Sequence, residues 1–246
     1  MILKDYIEKK LYEYNLFLNE VNKLKRYKGN ESWYHASNAG LCYLKHYWGE
    51  SVERAKPNPD SAMLMNAGTL IHNHIQKALE HNANIEYGLM SELEITLPEL
   101  NVRGFFDNAF YLKDDRKLII FDVKAIAAYK WKLMFGRNKD ANPSINNQLQ
   151  LGTLAEALRR HFGLNEDDIE MYIIYVNRDT LKRKYILINN KYMQMAIDYW
   201  KDVQAKQEYI TGENAGNTPD TPVMEWECNL KYCPYAYQCS SQLIKR

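Results

Sequence analysis

The clearest alternation of apolar and polar positions runs from Val102 to Ala125, VRGFFDNAFYLKDDRKLIIFDVKA. Two strand-like segments, 102–112 and 118–125, flank a polar turn at 113–117, a pattern that predicts a β-hairpin. Other elements surround it. Residues 2–27 place Ile7, Leu11, Tyr14, Leu18, Val21 and Leu24 at helical spacing. Pro57-Asn58-Pro59-Asp60 breaks the chain, and a second helix follows over 61–83. Residues 87–97 end in alternation, with Leu93, Ile95 and Leu97 on one face and Glu92, Glu94 and Thr96 on the other. A helix is expected over 144–161, strands over 168–177 and 182–188, and a helix over 190–209 that stops at Thr211-Gly212. Residues 213–227 read as polar loop, with no internal repeat and no second domain.

The hairpin also carries the candidate chemistry. Strand side chains repeat every two residues, so Asp122 and Lys124 share a face while Val123 points the other way. A carboxylate inside an apolar strand is costly unless a charge meets it. Asp107 and Asp122 on paired strands, with Lys124 beside one, suit a divalent cation that takes oxygen ligands. A buried Asp122–Lys124 ion pair with Asp107 on an edge strand explains the same residues. Glu92 and Glu94 are further candidates to reach the site, against the plainer reading of surface carboxylates on an edge.

Two other stretches stand out. AAYKWKLMFGRNK at 127–139 interleaves Lys130, Lys132, Arg137 and Lys139 with Tyr129 and Trp131, which suits phosphates and stacked bases, or simply an amphipathic helix with a basic face. Lys45, His46 and Trp48 are open to the same two readings. The tail holds Cys228-x4-Cys233-Pro-x4-Cys239. With Cys42, on a short helix after the capping residues Ser37 and Asn38, these make four thiols, the number required by a [4Fe–4S] cluster or a tetrahedral Zn²⁺.

Composition narrows the classes. The net charge over 246 residues is +1, so a nucleic-acid surface must be a local patch. Nineteen Tyr and five Trp are a generous aromatic supply, open to use in a core, at an interface or as platforms for stacked bases. The charged N-terminal stretch MILKDYIEKK and the lack of a long apolar run lead us to expect a cytoplasmic protein with no membrane contact, its cysteines reduced or metal-bound. No G-x-x-x-x-G-K-[ST] loop occurs, so no ATP motor is expected in the chain itself.

G-x-x-D at Gly104–Asp107, followed by D-x-K at Asp122–Lys124, resembles the core of the PD-(D/E)XK nuclease superfamily. The similarity is closest to its RecB-like branch, which includes AddB-type and CRISPR-associated iron–sulfur exonucleases. Gly68-Thr69-Leu70-Ile71-His72 matches the branch's G-T-x-x-H element, with Gly68 expected to let its helix approach the sheet. Gln148 falls on the Gln of Q-x-x-x-Y, whose Tyr position is Gly152 here. Ser37 and Cys42 fit the branch's opening element, and the tail cysteines its C-terminal triplet, with a first gap of x4 in place of x2.

The resemblance implies an α/β fold with a restriction-endonuclease-like core: a mixed central sheet flanked by helices, its N- and C-terminal segments joined by a cluster. One nuclease domain would span 1–246, made of N-terminal helices over 1–85, a core over 86–212 and a cluster-binding tail over 213–246. Asp107, Asp122, Lys124 and Gln148 would be catalytic. His72, Asp107, Asp122 and the Val123 carbonyl would hold Mg²⁺ or Mn²⁺. Cys42, Cys228, Cys233 and Cys239 would hold the [4Fe–4S] cluster, with Zn²⁺ as runner-up. The implied activity is metal-dependent DNA hydrolysis by a single-strand-preferring exonuclease, in recombination, DNA processing or CRISPR-type adaptation, alongside a helicase or adaptation partner. An endonuclease, a silent DNA-binding subunit and a metal scaffold are the alternatives.

Overall fold

The computed structural model describes residues 3–26, 33–46, 59–81, 88–136, 142–206, Cys233 and Tyr235. In chain order these form α1 (Leu3–Arg26), β1 (Tyr34–His35), α2 (Pro59–His81), β2 (Leu89–Ser91), β3 (Glu94–Leu97), β4 (Val102–Phe105), β5 (Asn108–Leu112), β6 (Lys117–Ile126), α3 (Ala128–Phe135), α4 (Ile145–Phe162), β7 (Ile169–Asn177), β8 (Arg183–Ile188) and α5 (Lys191–Ala205). The central sheet has the order β2-β5-β6-β7-β8, and a smaller sheet the order β1-β4-β3. Only β6 and β7 run parallel in the central sheet; its other pairs are antiparallel. A parallel neighbour needs a long crossover, and α3 and α4 supply it.

β6 and β7 are apolar on both faces because helices cover both. On one face Leu118, Ile120, Met171 and Ile173 join a core with Leu151, Leu154 and Leu158 of α4 and Met193 and Trp200 of α5. On the other, Phe121, Val123, Ile174 and Val176 pack with Ile71, Ile75 and Leu79 of α2. The result is a mixed sheet between helical layers.

Three details differ from the pattern reading. The first hairpin strand divides at Phe106-Asp107: β4 belongs to the small sheet and β5 to the central one. Phe106 is buried at the break, so the chain turns there around an anchored ring. The 87–97 segment likewise divides at Glu92, whose left-handed backbone (φ 48°) interrupts the alternation. Gly68, expected as a close-contact point, has open space beside it: a Cβ there would meet no atom of the described residues within 4 Å. Close approaches occur instead at Gly104, where a Cβ would lie 2.6 Å from Ala36 Cβ and 2.8 Å from Leu154 Cδ2, and at Gly152, where it would lie 2.2 Å from the Tyr192 carbonyl oxygen.

Candidate active site

β5 pairs with β6 only as far as Asn108 opposite Phe121, while β6 runs on to Ile126. The edge of β6 beyond Phe121 thus lacks β5 as a neighbour, and the side chain just before β5 takes over. Asp107 Oδ2 accepts the Val123 N–H at 2.8 Å. In a strand a residue's N–H and C=O point to the same side, so the Val123 carbonyl opens toward that edge as well. From above, α2 delivers His72, whose Nε2 lies 2.7 Å from Asp107 Oδ2. Glu92, at the break between β2 and β3, brings its carboxylate 3.9 Å from His72 Nδ1.

On the opposite face of β6, Lys124 Nζ lies 3.1 Å and 3.0 Å from the two oxygens of Asp122. It also donates to Gln150 Oε1 at 3.0 Å, and Gln150 Nε2 donates back to Asp122 Oδ1 at 3.2 Å. Asp122 is almost fully enclosed, whereas the Lys124 side chain keeps 26% exposure and so opens the site to solvent. His72 Nε2 and Asp122 Oδ2 are both buried and at ion-pair distance from a charge, yet neither makes a hydrogen bond of good geometry. Such atoms keep bonding capacity that a further charged ligand could take up.

The electrostatics separate the two carboxylates. Burial pushes Asp122 up to about 6, and the nearby Asp107 charge adds to this against the pull of Lys124. Burial raises Asp107 too, but the His72 bond and charge, Lys124 and the Val123 N–H outweigh it and hold the group below its ordinary range. Burial lowers His72, yet Asp107, Asp122 and Glu92 together hold it above its usual value. Lys124 is raised as well, its carboxylate neighbours overcoming desolvation. Two like charges crowded into one buried pocket divide in this way.

The structure thus brings His72, Asp107, Asp122 and Lys124 together from α2, the β4–β5 junction and β6. Gln148 does not join them. Its Nε2 donates to the Pro143 carbonyl at 2.8 Å, bracing the start of α4. Residues two apart on a helix face different directions, so only one of Gln148 and Gln150 can meet the sheet, and that one is Gln150. The Tyr position of the motif could not hold a Tyr, because the α5 backbone occupies the space beside Gly152.

Other sequence candidates scatter. Lys130 and Lys132 are exposed on α3, but Trp131 packs against the core and on Phe135, leaving Tyr129, 74% exposed, as the aromatic available for stacking. His46 is buried against Tyr199 and cannot face DNA. Cys42 and Cys233 are buried. Cys228, Cys239, Arg137, Lys139 and Trp48 lie outside the described residues. Among the described residues no helix is long and apolar enough to cross a membrane.

No family model and no curated protein matches this chain. Among solved structures, SSO0001 matches with a TM-score of 0.54 at 16% identity, over 98% of this chain and 98% of its own, so the two share a fold. A Eubacterium rectale protein provisionally named an exonuclease matches with a TM-score of 0.46 at 10% identity, over 80% of this chain and 87% of its own, too distant to carry an argument.

Proposed function

We propose that this chain is a metal-dependent deoxyribonuclease that hydrolyses phosphodiester bonds, acting as an exonuclease on single strands with a free end. The observation that carries this reading is the meeting of the buried Asp122 and part-buried Asp107 with an imidazole and a lysine around the bared end of β6. Hard oxygen donors of this kind suit Mg²⁺ or Mn²⁺. Asp107, Asp122, His72 and the Val123 carbonyl would hold the ion, which supplies charge against the scissile phosphate and acidifies a water. Among the described residues, no three His, Cys, Asp or Glu side chains stand at ligand spacing as the site is now arranged. Lys124 holds Asp122 and His72 holds Asp107, so loading requires those pairs to loosen.

The chain's own groups then have separate tasks. A water oxygen bonds to phosphorus as it gives up a proton to solvent, the P–O bond to the departing nucleotide breaks, and the departing oxygen takes a proton from solvent. Lys124, once drawn off Asp122, would offset the charge that builds on the phosphorane oxygens. Gln150 fixes the ammonium by accepting one of its protons. Tyr129, Lys130 and Lys132 form the adjoining strand-binding face. The test is digestion of 5′- and 3′-labelled single strands, duplexes and closed circles with Mg²⁺ or Mn²⁺. The reading expects metal-dependent trimming of linear single strands. Binding without any cutting would instead favour a silent nuclease-fold subunit, and rapid nicking of circles an endonuclease.

For Cys42, Cys228, Cys233 and Cys239 we propose a structural [4Fe–4S] cluster, with Zn²⁺ as the alternative occupant. Support comes from the sequence, where one N-terminal cysteine and a C-terminal triplet make the four thiols such a site requires, and from the burial of Cys42 and Cys233.

A further inference from the structure

The β7–β8 hairpin carries a charge cluster that the site described above does not use. Residues 178–185 read RDTLKRKY, four cations against the one carboxylate of Asp179, in a chain whose overall charge is only +1. Lys182, Arg183 and Lys184 are all exposed, and so is Tyr185. The hairpin is firmly built. Asn177 Oδ1 accepts from the backbone N–H groups of Asp179 and Thr180, which fixes the turn. The Arg178 N–H donates to the Ile126 carbonyl at 3.0 Å and ties the turn to the end of β6.

Register then decides where the cations point. Lys124 of β6 lies opposite Tyr175 of β7, and Tyr175 lies opposite Lys184 of β8. Residues in one such row share a face, so Lys184 faces the same side of the sheet as Lys124, two strands away. At about 4.8 Å per strand, the two positions are separated by about 10 Å. Lys182 has the same parity as Lys184, whereas Arg183, opposite Val176, faces the other side. Tyr175 between the two lysines is buried under Phe135 of α3, at 5.5 Å between ring centroids. The basic helix α3 and the basic strand β8 thus converge on one ring beside Lys124.

We infer that Lys182 and Lys184 form a rail for the sugar–phosphate backbone of a single DNA strand, holding the part of the substrate that extends from the Asp122/Lys124 centre across the end of β7. This inference rests on the nuclease reading and extends it to how the strand is held. Exposed lysines on an edge strand also keep sheets from pairing edge to edge, but a glutamate serves that purpose equally well. A polyanion accepts only the cation. Exchange of sign therefore separates the two roles.

The experiment measures binding of a fluorescein-labelled 20-nucleotide oligo-dT to the full chain by anisotropy, in EDTA so that nothing is cut, across a salt series. Wild type is compared with K182E/K184E, K182A/K184A and R183E, each with its melting temperature. The rail expects K182E/K184E to bind at least tenfold more weakly, with the slope of log affinity against log salt reduced by about 1.4, as two lost phosphate contacts require at about 0.7 each. K182A/K184A should lie between, and R183E within about threefold of wild type. Unchanged binding by K182E/K184E at an unchanged melting temperature overturns the rail, as does an equal loss in R183E. A parallel digestion with Mn²⁺ separates the two readings. A wild-type chain that cuts DNA but ignores the lysine exchange overturns the rail alone. One that binds through these lysines without cutting supports the rail and overturns the catalytic reading, and one that neither binds nor cuts overturns both.

Discussion

Lys124 is held by Asp122 and Gln150 at once, and that double hold makes the residue-scale predictions specific. Asp122→Asn and Asp107→Asn should fold and cut DNA at background rate, because a neutral amide is a poor ligand for a hard cation. Normal digestion by either variant would remove the metal assignment. Gln150→Ala should lower turnover about tenfold or more at an unchanged melting temperature, since the ammonium loses its second anchor. Gln148→Ala should do the reverse: turnover near wild type, stability down by about 1 kcal/mol through the loss of a buried bond to Pro143. Steady-state kinetics beside thermal melts would distinguish them, and an exchange of the two phenotypes would restore the sequence assignment. Away from the site, His46 offers a pH test. The Tyr199 hydroxyl donates to the Leu41 carbonyl, so its oxygen accepts from the neutral imidazole. Burial, with Lys45 assisting, pushes His46 down to about 4 from an ordinary 6.5. The unfolded chain therefore binds the proton first, and stability is lost as pH falls from about 6.5 to 4. The loss amounts to about 3 kcal/mol at most. In His46→Gln this part of the pH dependence should vanish, as urea melts at pH 7, 5.5 and 4 would show.

At the scale of elements, contact between helices depends on what a glycine leaves out. α4 meets the start of α5 at Gly152, and β4 meets Ala36 and Leu154 at Gly104. At Gly152 the obstructing atoms are backbone and cannot rotate aside, so Gly152→Ala should cost about 3 kcal/mol. Gly104→Ala should cost somewhat less: the Leu154 methyl can move, but Ala36 Cβ, 2.6 Å away, can yield only with its backbone. Gly68→Ala should raise stability by up to about 1 kcal/mol, because the added methyl meets nothing and the helix gains propensity. Urea denaturation of the three variants tests the order, and a destabilised Gly68→Ala would place a neighbour where none is described. Trp200 illustrates the same packing logic: its indole is fully buried between α5 and α4, and its N–H donates to Thr153 at 2.9 Å, so the largest core side chain is also satisfied.

At the scale of the whole molecule, the question is what joins the two ends of the chain. Cys42 and Cys228 stand 186 positions apart in the sequence, and a shared cluster would close a loop around everything between them. The thiolates are dispersed in the unfolded chain, so binding such a cluster would contribute directly to folding. Anaerobically purified protein should be brown and carry about four irons per chain. Cys233→Ser should lower iron content and melting temperature together. A colourless chain with one zinc would leave the same thiolates holding a different metal. Four alkylatable thiols in a stable, metal-free chain would discard the metal altogether.

Much of this architecture is written in local pattern, because burial on one or two faces imposes periodicity directly on a sequence. The apolar runs of β6 and β7, the capping Ser144 and terminal Gly163 of α4, and the break before α2 are all readable that way. So was the expectation that Asp122 and Lys124 share a face, since strand parity is a local property. Parity does not say which partner waits across a gap. That β4 and β5 separate at Asp107, that Gln150 and not Gln148 meets the lysine, and that Lys184 falls in the row of Lys124 were decided by register and helix rotation. Those are set by the packing of the whole core, where a displacement of one residue turns a side chain from the sheet to the solvent.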